Sequence, residues 1–303
     1  MAFQVKHDTD HPEWKELYTL SNGKIEIEIP ALIGPRITTL RYKNGDNFFY
    51  QAPNPQDKFH AKEWMPFGGH RLWHAPEQNP RSYYPDSVPI QFEISDNDFT
   101  MIQNIEETTM IRKEIRIKLH ADQDRVSVSH KMTNCGLWPI KFSGWAITMM
   151  APGGTAVIPL PERIPFPQEL VPNLSINIWP YTDLEDDRIK FHTKFISIQQ
   201  DATATLPLKI GCSCPDSWVG YNINDTVFIK QISHMSTKQY PDRGSNVEVF
   251  TNSELLEVET LGPLIEVQPQ ETLIHEEEWF LRKTEKNESA ESTLLDLYIN
   301  HME

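Results

Sequence analysis

The densest group of reactive side chains lies in Phe67-Gly-Gly-His-Arg-Leu-Trp-His-Ala-Pro-Glu77, where a glycine pair is followed by two imidazoles, a guanidinium, an indole and a carboxylate. Adjacent glycines let a backbone come close to another group, because no Cβ stands in the way. The mixture after them suits a ligand with both an apolar face and many hydroxyls. Indole faces stack on C–H surfaces, while Arg, His and carboxylates bond oxygens. Arg71, Trp73 and Glu77, with Tyr84 just downstream, are the candidate ligand-binding residues, and His70 and His74 the candidate proton-transfer groups. A metal is the competing use of His70, His74 and Glu77, since imidazoles four apart on a helix share a face. Pro76 and the Gly-Gly lead do not suit a regular helix, so no metal site is expected.

A second candidate is Leu255-Leu-Glu-Val-Glu-Thr-Leu261. Alternation puts Leu256, Val258 and Thr260 on one face of a strand and Glu257 with Glu259 on the other. Carboxylates paired on one face repel, so one of them needs a ligand, a basic partner or water. Such a group can act as a general base or bond a hydroxyl. A third group, Trp179-Pro-Tyr-Thr-Asp183 with Arg188 downstream, offers Asp183. In His275-Glu-Glu-Glu-Trp279, acidic protection of an edge strand is the expected explanation. His130, among Val126, Val128 and Met132, reads as a satisfied core histidine. No nucleophile elbow, phosphate loop or dinucleotide fingerprint is present.

The elements that must position these residues are strands. Val126, Val128, His130 and Met132 alternate with Ser127, Ser129 and Lys131, and Ile111, Ile115, Ile117 and Leu119 repeat the pattern upstream. The polar step 120–124 between them reads as a hairpin connection. Further strands are expected at 24–29, 37–42, 90–94, 100–105, 139–149, 226–232, 247–251, 255–261 and 272–281. A terminal helix is expected over 288–302, with Leu294, Leu295, Leu297, Tyr298 and Ile299 on one side. Segments 51–89 and 150–187 read as long, function-bearing loops. No repeat or linker divides the chain, so one domain over 1–303 is expected.

The 303 residues are 39% hydrophobic and carry a net charge of −15, from 28 basic and 43 acidic side chains. That composition can bury a core, and a field of that sign repels phosphate backbones and anionic lipid. Neither nucleic acid nor membrane is an expected partner. Cys135, Cys212 and Cys214 make a poor disulfide or metal set and read as free thiols. With no signal-peptide pattern at the N-terminus, a reduced cytoplasmic protein is expected.

The order of features resembles galactose mutarotase-like proteins. Gly34-Pro-Arg-Ile-Thr-Thr-Leu40 with Asn44-Gly-Asp-Asn47 is similar to their opening, and Pro66-Phe-Gly-Gly69 with Trp73 and Pro76 to the substrate-side loop of the glucose-6-phosphate 1-epimerase branch. Thr133-Asn-Cys-Gly136, leading to Pro139 and Phe142, resembles the turn before a central strand. Glu257-Val-Glu-Thr260 resembles the strand carrying the catalytic glutamate, and Gln268-Pro-Gln-Glu271 the closing turn. Gly-Gly-His-Arg-Leu-Trp and Trp-Pro-Tyr-Thr-Asp mark a branch distinct from the sugar epimerases.

The resemblance implies an all-β, large antiparallel β-supersandwich whose concave face holds a sugar or sugar phosphate, without a cofactor. In those enzymes a glutamate takes the anomeric hydroxyl proton while a histidine protonates the ring oxygen. Glu259 matches the glutamate position, with Glu257 beside it. The central-strand histidine has no match, since its place falls near Ile147. An epimerase therefore needs His70 or His74 as its acid, with Arg71 on a ligand oxygen or anionic group and Trp73 or Trp145 stacked on the ring. The alternative is a sugar sensor or binding protein that has lost the acid.

Overall fold

A computed structural model of the chain describes residues 3–283, residue 216 excepted. The expected helix at 288–302 lies outside the described residues.

Antiparallel strands of alternating burial build the molecule. Ile111–Leu119 pairs with Arg125–Asn134, which pairs with Thr272–Lys283, and along each strand apolar side chains turn to one side. These are central members of a ten-stranded sheet that also includes Trp218–Ile223 and Thr226–Ile232. An eight-stranded sheet faces it. Its order runs Ile176–Ile178, Leu208–Cys212, Val247–Thr251, Leu256–Leu261, Ile140–Met150, His70–Ala75 and Arg36–Ile37, with Ile265–Val267 paired to Ile140–Met150. A four-stranded sheet from the first 42 residues completes the set. One apolar cluster draws on all three sheets, from Leu20 and Ile27 through Val128 and Trp279 to Val258. Among the described residues, no helix is long and apolar enough to cross a membrane. Cys135, Cys212 and Cys214 are free thiols, as expected.

Three expectations need correction. Segment 51–89 is not all loop, because His70–Ala75 is a strand, and every residue of it is buried. A strand enclosed on both faces loses the polar–apolar alternation that identifies strands. The preceding glycines feed it into the sheet. Gly68 and Gly69 have φ of 89° and 69°, and a Cβ on them would lie 2.2 Å from the Tyr50 carbonyl oxygen and 2.1 Å from that of Ile37. Segment 150–187 likewise contains strands, at Thr155–Pro159 and Ile176–Ile178.

The third correction concerns His275-Glu-Glu-Glu-Trp279. This run is in the middle of the ten-stranded sheet, paired on one side with Arg125–Asn134 and on the other with Thr226–Ile232. Its His275, Glu277 and Trp279 point between the sheets, where acidic edge protection has no part.

Candidate ligand-binding pocket

Alternation along His70–Ala75 divides the Gly-Gly-His-Arg-Leu-Trp-His motif between two faces of the eight-stranded sheet. Arg71 and Trp73 turn outward and line a cavity of about 470 Å³. Neighbouring strands add their own outward residues in register. Trp145 is opposite Trp73, Ile147 opposite Arg71, and Met149 opposite Glu257. Trp64, Glu77 and Tyr181 from loops, and Tyr83 from the short 3-10 helix Arg81–Tyr83, close the sides.

The aromatic wall is continuous. The Trp73 ring lies 5.5 Å from Trp145, 5.3 Å from Trp64 and 4.8 Å from Tyr83, all edge to face, an arrangement that favours aromatic pairs. The Arg71 guanidinium stacks 4.6 Å from the Trp73 ring centre and donates to Glu257 at 3.2 Å. Burial raises the Glu257 pKa; Arg71 opposes the shift and Glu259 adds to it. Tyr83 donates to the Glu77 carboxylate. Its own pKa is pushed up to about 12, by burial first and then by Glu77.

Beneath the wall is a second charged group. Cross-strand register sets Glu259 directly opposite Glu248, and both are fully buried. Like charges in that relation are destabilising unless something neutralises them. Lys209 does so, its Nζ 2.8 Å from each carboxylate. Gly211, opposite Glu248, leaves room for this, since a Cβ there would lie 3.2 Å from the Glu248 side chain. The Trp145 indole N–H also donates to Glu259, at 2.7 Å, leaving Glu259 Oε1 buried without a partner. Trp145 and Trp179 flank the Lys209 ammonium at 4.7 and 4.9 Å. Burial works against that ammonium, yet the two glutamates outweigh it and raise its pKa. Burial drives the Glu248 pKa well above the ordinary carboxylate range, with Lys209 opposing and Glu259 reinforcing.

The inward face of the same sheet holds the histidines. His70 and His74 have no exposure and point toward the ten-stranded sheet. Fixed ends determine the hydrogens of the His70 chain, because an ammonium only donates and a carbonyl only accepts. Lys230 Nζ donates to Thr148 Oγ1 at 3.1 Å, and the Thr148 hydroxyl donates to His70 Nδ1 at 2.8 Å. His70 Nε2–H then donates to His130 Nε2 at 2.7 Å, and His130 Nδ1–H to the His275 carbonyl at 3.0 Å. Lys230 also pairs with Glu277 at 2.9 Å, while Thr260 and the Trp279 indole donate to the same carboxylate. Burial holds the His70, His130 and His275 pKa values down, that of His275 to about 3, so all three are neutral. His130 is the satisfied core histidine expected of it.

His70, His130 and Glu277 each offer a ligand atom within 4.8 Å of the others, a group that could hold a metal ion. The directed hydrogen-bond chain already uses both facing imidazole nitrogens. The set considered from sequence does not assemble, because Glu77 lies on the opposite side of the sheet from His70 and His74.

The structure thus brings together Arg71, Trp73, Glu77, Trp145 and Glu257 around one cavity, with Glu259 in the layer below. His74 is instead 3.6 Å from Glu106, which pairs with Lys113 at 2.6 Å. Tyr84 accepts from the Glu107 backbone N–H, and Asp183 from that of Glu185, both away from the cavity. Sequence reasoning missed Lys209, Glu248 and Trp64. Lys209 had a signal, as a single lysine in the otherwise apolar run 208–212 must find buried partners.

No family model and no curated protein matches the chain. Solved structures do. A candidate aldose 1-epimerase from Klebsiella pneumoniae aligns at TM-score 0.62 and 10% identity, over 99% of this chain and 87% of that one. A candidate mutarotase from Salmonella typhimurium aligns at 0.59 and 11%, over 88% and 90%. A galactose mutarotase-like protein from Lactobacillus casei aligns at 0.52 and 10%, over 88% and 100%. At such identities the likeness concerns the fold, which is the galactose mutarotase-like β-sandwich expected from the sequence.

Proposed function

We propose that this protein binds a sugar ring in the pocket walled by Trp64, Trp73, Trp145 and Tyr83. The supporting observation is the juxtaposition of that edge-to-face wall with the Arg71–Glu257 pair. The wall offers faces to the C–H side of a pyranose, and the ion pair offers donors and an acceptor to its hydroxyls. The fold shared with candidate epimerases and mutarotases agrees with it. Titration of the protein with aldoses, followed by tryptophan fluorescence and NMR line broadening, tests the proposal. Binding that Trp73→Ala weakens at least tenfold is expected; no response to any sugar would refute it.

One observation favours a second reading, ring-opening epimerisation. Glu257 lines the cavity, where burial keeps a proton on it to higher pH than usual, and Glu259, two residues on, lies in the layer below with its Oε1 unpartnered. A protonated carboxyl beside an ionised one is an acid–base pair at one locus. Glu257 gives its proton to the ring oxygen while Glu259 takes that of the anomeric hydroxyl. The C1–ring oxygen bond breaks, and reversal after rotation closes the other anomer. His70 and His74 take no part in this scheme. Accelerated α/β exchange, lost in Glu257→Gln, supports it. Binding without exchange leaves a sugar-binding protein.

A further inference from the structure

The charges around the cavity carry the proposal further, to the class of sugar, and this step rests on the sugar-binding proposal. Two cationic side chains line the pocket, Arg71 and Lys209, and each already faces a carboxylate. Arg71 gives Nη2 to Glu257, while its Nε and Nη1 are buried and lack partners. The guanidinium carbon lies 4.6 and 5.4 Å from the Trp73 and Trp64 ring centres. Lys209 is saturated by Glu248 and Glu259 and enclosed by two indoles.

The acidic lining residues are not balanced in this way. Glu257 is paired with Arg71, and Lys58, tied to the Pro66 carbonyl at 2.9 Å, is close enough to offset Glu254. Glu77 remains. It is exposed at the mouth, takes a hydrogen bond from Tyr83, and has no cationic partner among the described residues. A sugar phosphate or uronic acid entering here meets an uncompensated carboxylate beside cations that already face carboxylates of their own. A protonated amine meets that carboxylate among ring faces that attract cations.

We infer that the pocket selects an amino sugar over its neutral parent and rejects sugar phosphates and uronic acids. In the bound state the ammonium donates to Glu77 and faces the rings of Tyr83 and Tyr181.

Fluorescence titration of the full chain with glucosamine, glucose, N-acetylglucosamine, glucose 6-phosphate and glucuronate tests this, as does the galacto series. Glucosamine should bind roughly three- to tenfold tighter than glucose, the worth of a partly screened charge contact with an aromatic contribution. N-acetylation should abolish the gain, and so should Glu77→Gln, which alters one exposed side chain. High salt should narrow the difference, because a contact at the mouth is screened. Glucose 6-phosphate or glucuronate binding as tightly as glucose would overturn the inference and leave the sugar pocket standing. So would an amine preference that survives Glu77→Gln. Silence from every sugar would instead remove the pocket proposal and this inference with it.

Discussion

Replacing Lys209 with methionine should destabilise the protein by an amount that depends steeply on pH. Methionine fills much of the same volume, so packing loss is small and the effect is electrostatic. In the wild type, burial pushes the Glu248 pKa well up, and Lys209, 2.8 Å from both facing carboxylates, is the charge that opposes this. Without the ammonium the facing pair loses its one counter-charge, and a second buried carboxyl must hold a proton that the unfolded chain releases above the ordinary carboxylate pKa. Holding that proton costs about 1.36 kcal/mol per pH unit above ~4.3, which is about 3.7 kcal/mol at pH 7 and about 1 kcal/mol at pH 5. The sign follows from a folded-state pKa raised above the unfolded one. Stability is retained below the unfolded value and lost as pH rises toward the folded value. Urea unfolding of Lys209→Met against wild type at pH 5 and pH 7 measures the difference. A loss that is equal at the two pH values, or below about 1 kcal/mol at pH 7, would refute the account of Lys209 as the neutralising group.

Glu259→Gln should cost little stability, less than about 1.5 kcal/mol, because the amide can still accept from Trp145 and Glu248 can ionise to pair with Lys209; ligand titration and urea unfolding together separate loss of binding from loss of fold. Glu277→Gln should be far more damaging, about 3–5 kcal/mol at pH 7, since it leaves the Lys230 ammonium buried beside neutral groups; a small change in unfolding midpoint would contradict the ion pair. Gly69→Ala should lower stability by more than about 2 kcal/mol, because its φ of 69° is strained for alanine and its Cβ would press on the Ile37 carbonyl; thermal unfolding checks this.

The strands that could be read from sequence are those with water on one side. Ile111–Leu119 and Arg125–Asn134 alternate visibly because their outer faces are solvated, and both coincide with observed strands. Val247–Thr251 matches to the residue. His70–Ala75, Leu208–Cys212 and Trp218–Ile223 escaped notice, since they are buried on both faces, or nearly so, and alternate in no visible way. Buried polar residues obscured the pattern further. Lys113, Lys209 and Lys230 are each enclosed beside a glutamate, and for Lys209 and Lys230 that partner is far away in the chain and leaves no local mark.

The same limit governs how the site was read. Clustering in sequence brought His70, Arg71, Trp73, His74 and Glu77 together as one constellation, but a strand assigns its neighbours to opposite faces. Only Arg71 and Trp73 reach the cavity from the strand itself, and Glu77 reaches it from the loop beyond. Glu257 and Glu259, which alternation sets on one face, do share the pocket side of their strand, Glu257 lining the cavity and Glu259 in the layer below. Each face of the sheet then carries its own buried lysine, Lys209 against Glu248 and Glu259 on one side and Lys230 against Glu277 on the other. Lys230 Nζ also lies 3.0 Å from the Ala146 carbonyl and 3.4 Å from that of Val258, the residues between Trp145 and Ile147 and between Glu257 and Glu259. The inner ion pair therefore anchors the backbone of the two strands that supply the pocket floor. Substitutions at Lys230 should alter ligand affinity and stability together, whereas those at Glu77 should alter affinity alone.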